Sequence, residues 1–160
     1  MKTRIFLAIS IAAALVSCGS DKKSALTVLE IAKGRILHLI ESQPESPAVD
    51  EAPLSPYDLI HSIRITLVTA PDEMWVMDQE GTVLYQLDSE MVGKNVFKDD
   101  GFSKFNGFQS ACKTIAAAES GEVMYSFHAT GSSDPVDKTA FWQTVRTPVN
   151  EWKIVYALEN

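Results

Sequence analysis

Cysteine is nearly absent from this chain: two residues, Cys18 and Cys112, in 160. They form no Cys-x-x-Cys pair, so a zinc knuckle or a dithiol redox centre has no ligands. Histidine is as scarce. His38, His61 and His128 lie far apart on different segments and offer no metal-ligand spacing. The sequence has no Gly-x-Ser-x-Gly, no His-Glu-x-x-His and no phosphate-binding glycine loop. The acids Asp78/Glu80 and Asp99-Asp100 fall in turn-like stretches, where solvated acids are the ordinary occupants. Catalysis, a metal and a cofactor are therefore not expected. Basic residues are outnumbered, 14 against 21 acidic, which argues against nucleic acid or anionic lipid as a partner. No apolar run reaches the roughly 20 residues that a membrane-spanning helix needs. Internal repeats and low-complexity blocks are also missing.

What is present begins with an address. Lys2 and Arg4 precede an apolar run of 12 residues, Ile5 to Val16, broken only by Ser10. That length fits the core of a signal peptide. The run ends in Leu15-Val16-Ser17-Cys18, which resembles the lipobox of bacterial lipoproteins. The resemblance implies that residues 1–17 are cleaved and that Cys18, acylated on its thiol, becomes the first residue. Residues 18–24 then form a polar tether, and residues 25–160 a single domain held to the membrane through Cys18. Gly19, rather than Asp, follows the cysteine, which in this family favours the outer membrane, facing the periplasm. Loss of Lys2 and Arg4 leaves 12 basic residues against 21 acidic, a net charge of −9. With Cys18 acylated, Cys112 has no partner for a disulfide.

Ala25, Val28, Leu29, Ala32, Ile36, Leu39 and Ile40 recur at helical spacing and predict an amphipathic helix over 24–41, with Gly34 its weak spot. Pro44, Pro47 and Pro53 make 42–55 an irregular loop. Ser55-Pro56 has the form of a cap and first residue, opening a second helix that would bury Leu59, Ile60, Ile63 and Leu67. Met74 to Gln86 predicts a hairpin, two apolar runs around Asp78-Gln79-Glu80-Gly81. The stretch 87–121 is too long for a bare loop. It contains one helix, 108–120, whose shared face of Phe108, Ala111, Cys112, Ile115 and Ala118 makes Cys112 a buried small hydrophobe. Three strands follow, 122–129, 139–149 and 152–158, with turns at 130–137 and 150–151. The expected fold is α+β with one five-stranded antiparallel sheet.

The order of these signals resembles a Cache domain, the PAS-like extracytoplasmic sensor module, over about 55–160. The carrying residues are Trp75-Val-Met-Asp78-Gln-Glu-Gly81, then Val92-Gly93-Lys94-Asn95, then Glu119-Ser-Gly121 leading into Tyr125. Last come Thr147-Pro148-Val149 and Trp152-Lys-Ile-Val-Tyr156. The resemblance implies a long N-terminal helix on one face of the sheet. It places a small-ligand pocket on the other face, under the helical insertion after strand 2. The ligand would be a small organic carboxylate or amino acid, and any signal would pass to a separate membrane sensor protein.

Alternation along the strands sets the candidate site residues. Tyr125 and Phe127 share one strand face, and Trp142 and Arg146 share one face of the next. Together they would supply a hydroxyl, an apolar wall and a carboxylate clamp; Lys94 and Lys138 are outlying candidates. The competing reading makes Phe127 and Trp142 plain core and Arg146 a solvated strand end. The protein would then be a structural or assembly envelope lipoprotein with a closed, ligand-free Cache fold. Alternation alone does not say which face carries the N-terminal helix, so both readings stand at this point.

Overall fold

The structure is a computed structural model that describes residues 22–41, 74–86, 88–129, 132–146 and 150–160. The expected leader, the Pro-rich loop, the second helix at Ser55, His61 and residues 147–149 lie outside the described residues. Helix α1 spans Lys22–Glu41, and α2, Phe108–Ala117. The strands are β1 (Met74–Asp78), β2 (Val83–Tyr85), β3 (Ser120–His128), β4 (Pro135–Arg146) and β5 (Glu151–Glu159). They form one sheet in the order β2-β1-β5-β4-β3, with every neighbouring pair antiparallel. This is the expected five-stranded sheet, and β5, the last strand in sequence, is its centre.

Each face of the sheet carries its own apolar layer. Ala25, Leu29, Ala32 and Ile36 of α1 are buried at the predicted helical spacing. They pack with Phe141, Val145, Trp152 and Ile154 of β4 and β5. On the opposite face the insertion between β2 and β3 packs α2 and its preceding loop onto Trp75, Met77, Tyr125, Trp142 and Val155. A central strand covered on both sides is buried on both faces. This explains the uninterrupted burial from Trp152 to Val155 in β5.

The hairpin turn follows from two residues. The Asp78 carboxylate accepts a 2.7 Å hydrogen bond from the Thr82 amide, two residues further along than an Asx-turn would reach. Gly81 takes φ +84°, and a Cβ there would meet the Phe97 ring at 2.6 Å. Conformation and space therefore both require glycine. Several element ends shift from expectation. Helix α1 starts at Lys22, inside the expected tether. Helix α2 stops at Ala117, because β3 already begins at Ser120. Strand β4 begins at Pro135, which pairs with His128; a first strand position tolerates proline. Cys112 is fully buried, and burial raises its thiol pKa well above the ordinary range.

Candidate functional site

The insertion is built so that a row of rings lies over β3. Gly93 (φ +83°) turns the chain after the first single-turn 3₁₀ helix, Ser89–Met91. The Asn95 side-chain amide then donates to the Glu80 carbonyl at 2.8 Å, tying the insertion to the hairpin. Asp99 caps the second 3₁₀ turn, Asp100–Phe102, accepting from the Gly101 amide at 2.8 Å. Phe102, Phe105 and Phe108 follow at three-residue intervals and come together over Phe127. The centroids of Phe105 and Phe127 are 4.6 Å apart, and Phe108 stacks on Phe127 at the same separation. Tyr125 meets Phe108 edge-on at 5.1 Å. Offset and edge contacts of this kind stabilise a cluster beyond the area that it buries.

The register places Lys138 in this face. It pairs directly with Tyr125 on one side and with Glu159 on the other. Its side chain is 8% exposed, and its ammonium lies 3.5 Å from the Glu159 carboxylate. One end of the insertion face thus holds Tyr125, Phe127, Lys138 and the phenylalanine row.

Trp142 lies midway along β4 between Lys138 and Arg146, and Arg146 is the last residue of the strand. Trp142 is buried, and its indole N–H donates to the Ala118 carbonyl at 3.1 Å. Arg146 lies eight residues beyond Lys138, roughly 26 Å along an extended strand. Its side chain is 60% exposed and is paired with the carboxylates of Glu119 and Glu151. Of the four residues singled out by alternation, the structure therefore brings Tyr125 and Phe127 together. Trp142 belongs to the same core cluster further along β4, while Arg146 lies apart from them at the solvated strand end. Lys94 is exposed near the β2 edge, where its carbonyl accepts from the Val83 amide.

A buried lysine that alternation did not single out organises this second end. Lys153 lies on β5, 1% exposed. Its ammonium donates to the Ala118 carbonyl at 3.1 Å, the Thr144 hydroxyl at 2.7 Å and the Glu151 carboxylate at 3.0 Å. A cation just beyond a helix C-terminus is favoured by the outward carbonyls there. The signal in the sequence was one charged residue inside the otherwise apolar run Trp152–Val155. Glu151 is held down to a pKa of about 2, first by a hydrogen bond from the Gln79 side chain and then by Lys153. A lowered carboxylate pKa contributes stability above the ordinary value of 4.5, and that contribution is lost as pH falls through about 2. Glu151→Gln should therefore flatten the acid side of the stability profile in that window. Identical slopes for variant and wild type in acid denaturation would rule this out.

No family model matches the sequence, and no curated protein matches it. Among solved structures, the chain is similar to a Cache chemosensory domain described for carboxylic acid recognition. That likeness has TM-score 0.60 and 17% identity, covering 86% of this chain and 91% of the other. It is similar to the periplasmic sensor domain of a chemotaxis protein at TM-score 0.59 and 19% identity, covering 86% and 93%. A methyl-accepting chemotaxis protein from Vibrio parahaemolyticus follows at TM-score 0.55 and 13% identity, covering 84% and 87%. An extracellular ligand binding receptor from Desulfohalobium retbaense is spanned over only 15% of its length, at TM-score 0.42. The fold is the Cache/PAS-like α+β fold. Identities this low establish the fold alone.

Proposed function

We propose that this chain is an extracytoplasmic Cache-type module, lipid-anchored through Cys18. In this reading it binds a small organic carboxylate or amino acid and serves a separate membrane sensor protein. It sits in the cell envelope, on the outer membrane facing the periplasm, where the lipobox and Gly19 direct it. The observation that carries the ligand reading is Lys138, a cation withdrawn from water beside Tyr125 and the phenylalanine row. Its ammonium is already paired with the Glu159 carboxylate, and a ligand carboxylate would join or replace that partner beside the rings. The mature charge of −9 gives no general attraction for anions, so affinity must come from a local cation. Tyr125 and Phe127 would wall the apolar part of the ligand. Arg146, engaged by two carboxylates at the far end of β4, is not the cation in this reading.

A metabolite screen by thermal shift on the soluble Cys18→Ser form tests it. A ligand at 100 times its Kd should add about 2.7 kcal/mol. Lys138→Met should weaken the best hit about tenfold or more, at least about 1.4 kcal/mol. Arg146→Lys should leave it unchanged. Weakening at Arg146 alone would return the clamp to that residue.

One observation favours the alternative, a structural or assembly envelope lipoprotein with a closed Cache fold. Phe102, Phe105, Phe108 and Phe127 pack ring on ring where a ligand would lie. If no carboxylate or amino acid shifts the melting temperature at millimolar concentration, that alternative becomes the better reading.

A further inference from the structure

We infer that the anchored domain lies on its side, with edge strand β3 and the first turn of α1 against the bilayer and Met124 meeting the lipid surface. This rests on the Cys18 anchor proposed above and adds an orientation to it. The argument begins with length. Three residues separate Cys18 from Lys22, so four Cα steps of about 3.8 Å allow at most about 15 Å between them, whatever their conformation. A domain of this size has a radius of gyration of about 14 Å, hence a body radius of roughly 18 Å. The tether is shorter than the radius of the body that it holds.

Its attachment point is fixed on that body. The Lys22 ammonium pairs with Glu122 of β3 at 2.5 Å and lies over the Phe141 ring, 6.0 Å from its centroid. Helix α1 then crosses the sheet: Gln143 of β4 donates to Glu30, and Ala25, Leu29, Ala32 and Ile36 share one cluster with Met74 and Val76 of β1. The anchored end of α1 therefore sits at the β3 edge of the sheet. Met124 is two residues from Glu122 on the same face of β3, and its side is not covered by α1. At 63% exposure it is the most open large apolar side chain among the described residues. Leu26, one turn beyond Lys22, is also exposed. The acyl chains supply the affinity, each buried CH₂ contributing about 0.8 kcal/mol. The short tether and Met124 set which side faces the lipid. With a net charge of −9 the surface suits an uncharged interface rather than an anionic one.

The test uses the full, natively processed chain carrying either Met124→Cys or Lys94→Cys, each labelled with an environment-sensitive fluorophore. Lys94 reports on the opposite, β2 edge, and buried Cys112 stays unlabelled. In phosphatidylcholine vesicles doped with nitroxide lipid, the label at 124 should be quenched several-fold more strongly than that at 94. A Gly/Ser insert of ~20 residues between Ser20 and Asp21, spanning about 25 Å on average, should abolish the difference. Co-flotation with the vesicles reports the anchor separately. A chain that does not float removes the anchor and this orientation together. A chain that floats but shows equal or reversed quenching overturns the orientation and leaves the anchor standing. Weak quenching at 124 with density-dependent self-quenching there would assign the surface to a second copy of the chain and overturn the inference as well.

Discussion

Trp152→Ala is expected to destabilise the domain by about 3–5 kcal/mol, the range for deleting a large buried aromatic side chain. Trp152 lies on the central strand, 4% exposed, within the layer that joins the sheet to α1. It stands between Val145 of β4 and Asp78 of β1. Removing the indole deletes contacts to two strands and to the helix at once, and the sheet cannot close over the gap because its register is held from both sides. The denaturant midpoint of the Cys18→Ser form should fall with the slope unchanged. A midpoint within error of wild type would show that Trp152 does not contribute to the core as described.

Gly121→Ala is expected to destabilise by about 1–3 kcal/mol, a large effect for one methyl group and one that arises from overpacking. A Cβ at Gly121 would meet the Trp142 ring at 2.5 and 2.6 Å. The indole has little freedom to retreat, being 2% exposed and bonded through its N–H to the Ala118 carbonyl. The clash therefore either displaces the ring and breaks that bond or bends β3 away from β4. The proof of cause is a double-mutant cycle with Trp142→Phe, which shortens the ring. In that background Gly121→Ala should cost clearly less, giving a coupling within the range for residues in contact. Additive effects of the two substitutions would refute the steric account.

Those two residues also show why the site was harder to read than the fold. Helix α1 was legible because Ala25, Leu29, Ala32 and Ile36 repeat with the period of the helix itself, and the hairpin because Asp78 and Gly81 carry local turn chemistry. The strands were legible as strands, and their number and order of appearance matched the five-stranded sheet. These are short-range properties, set by residues within one or two turns of each other.

Strand faces and register are set from outside the strand. Both faces of β4 are apolar, Phe141 and Val145 on one side, Ala140 and Trp142 on the other, so alternation could not say which face meets α1. A strand of 12 residues also has two ends far apart. Alternation grouped Trp142 with Arg146 correctly on one face, but it was blind to the pairing of β4 with β3. That pairing sets Tyr125 opposite Lys138 and Gly121 opposite Trp142, and so separates the arginine from the aromatic cluster. Lys153 was hidden for the same reason: its partners, the Ala118 carbonyl, Thr144 and Glu151, converge only when α2 ends over β4 and β5. Periodicity and turn chemistry act locally and are written along the chain. Which cation shares a face with which ring depends on contacts between residues far apart in sequence, and those form only once the sheet has closed around β5.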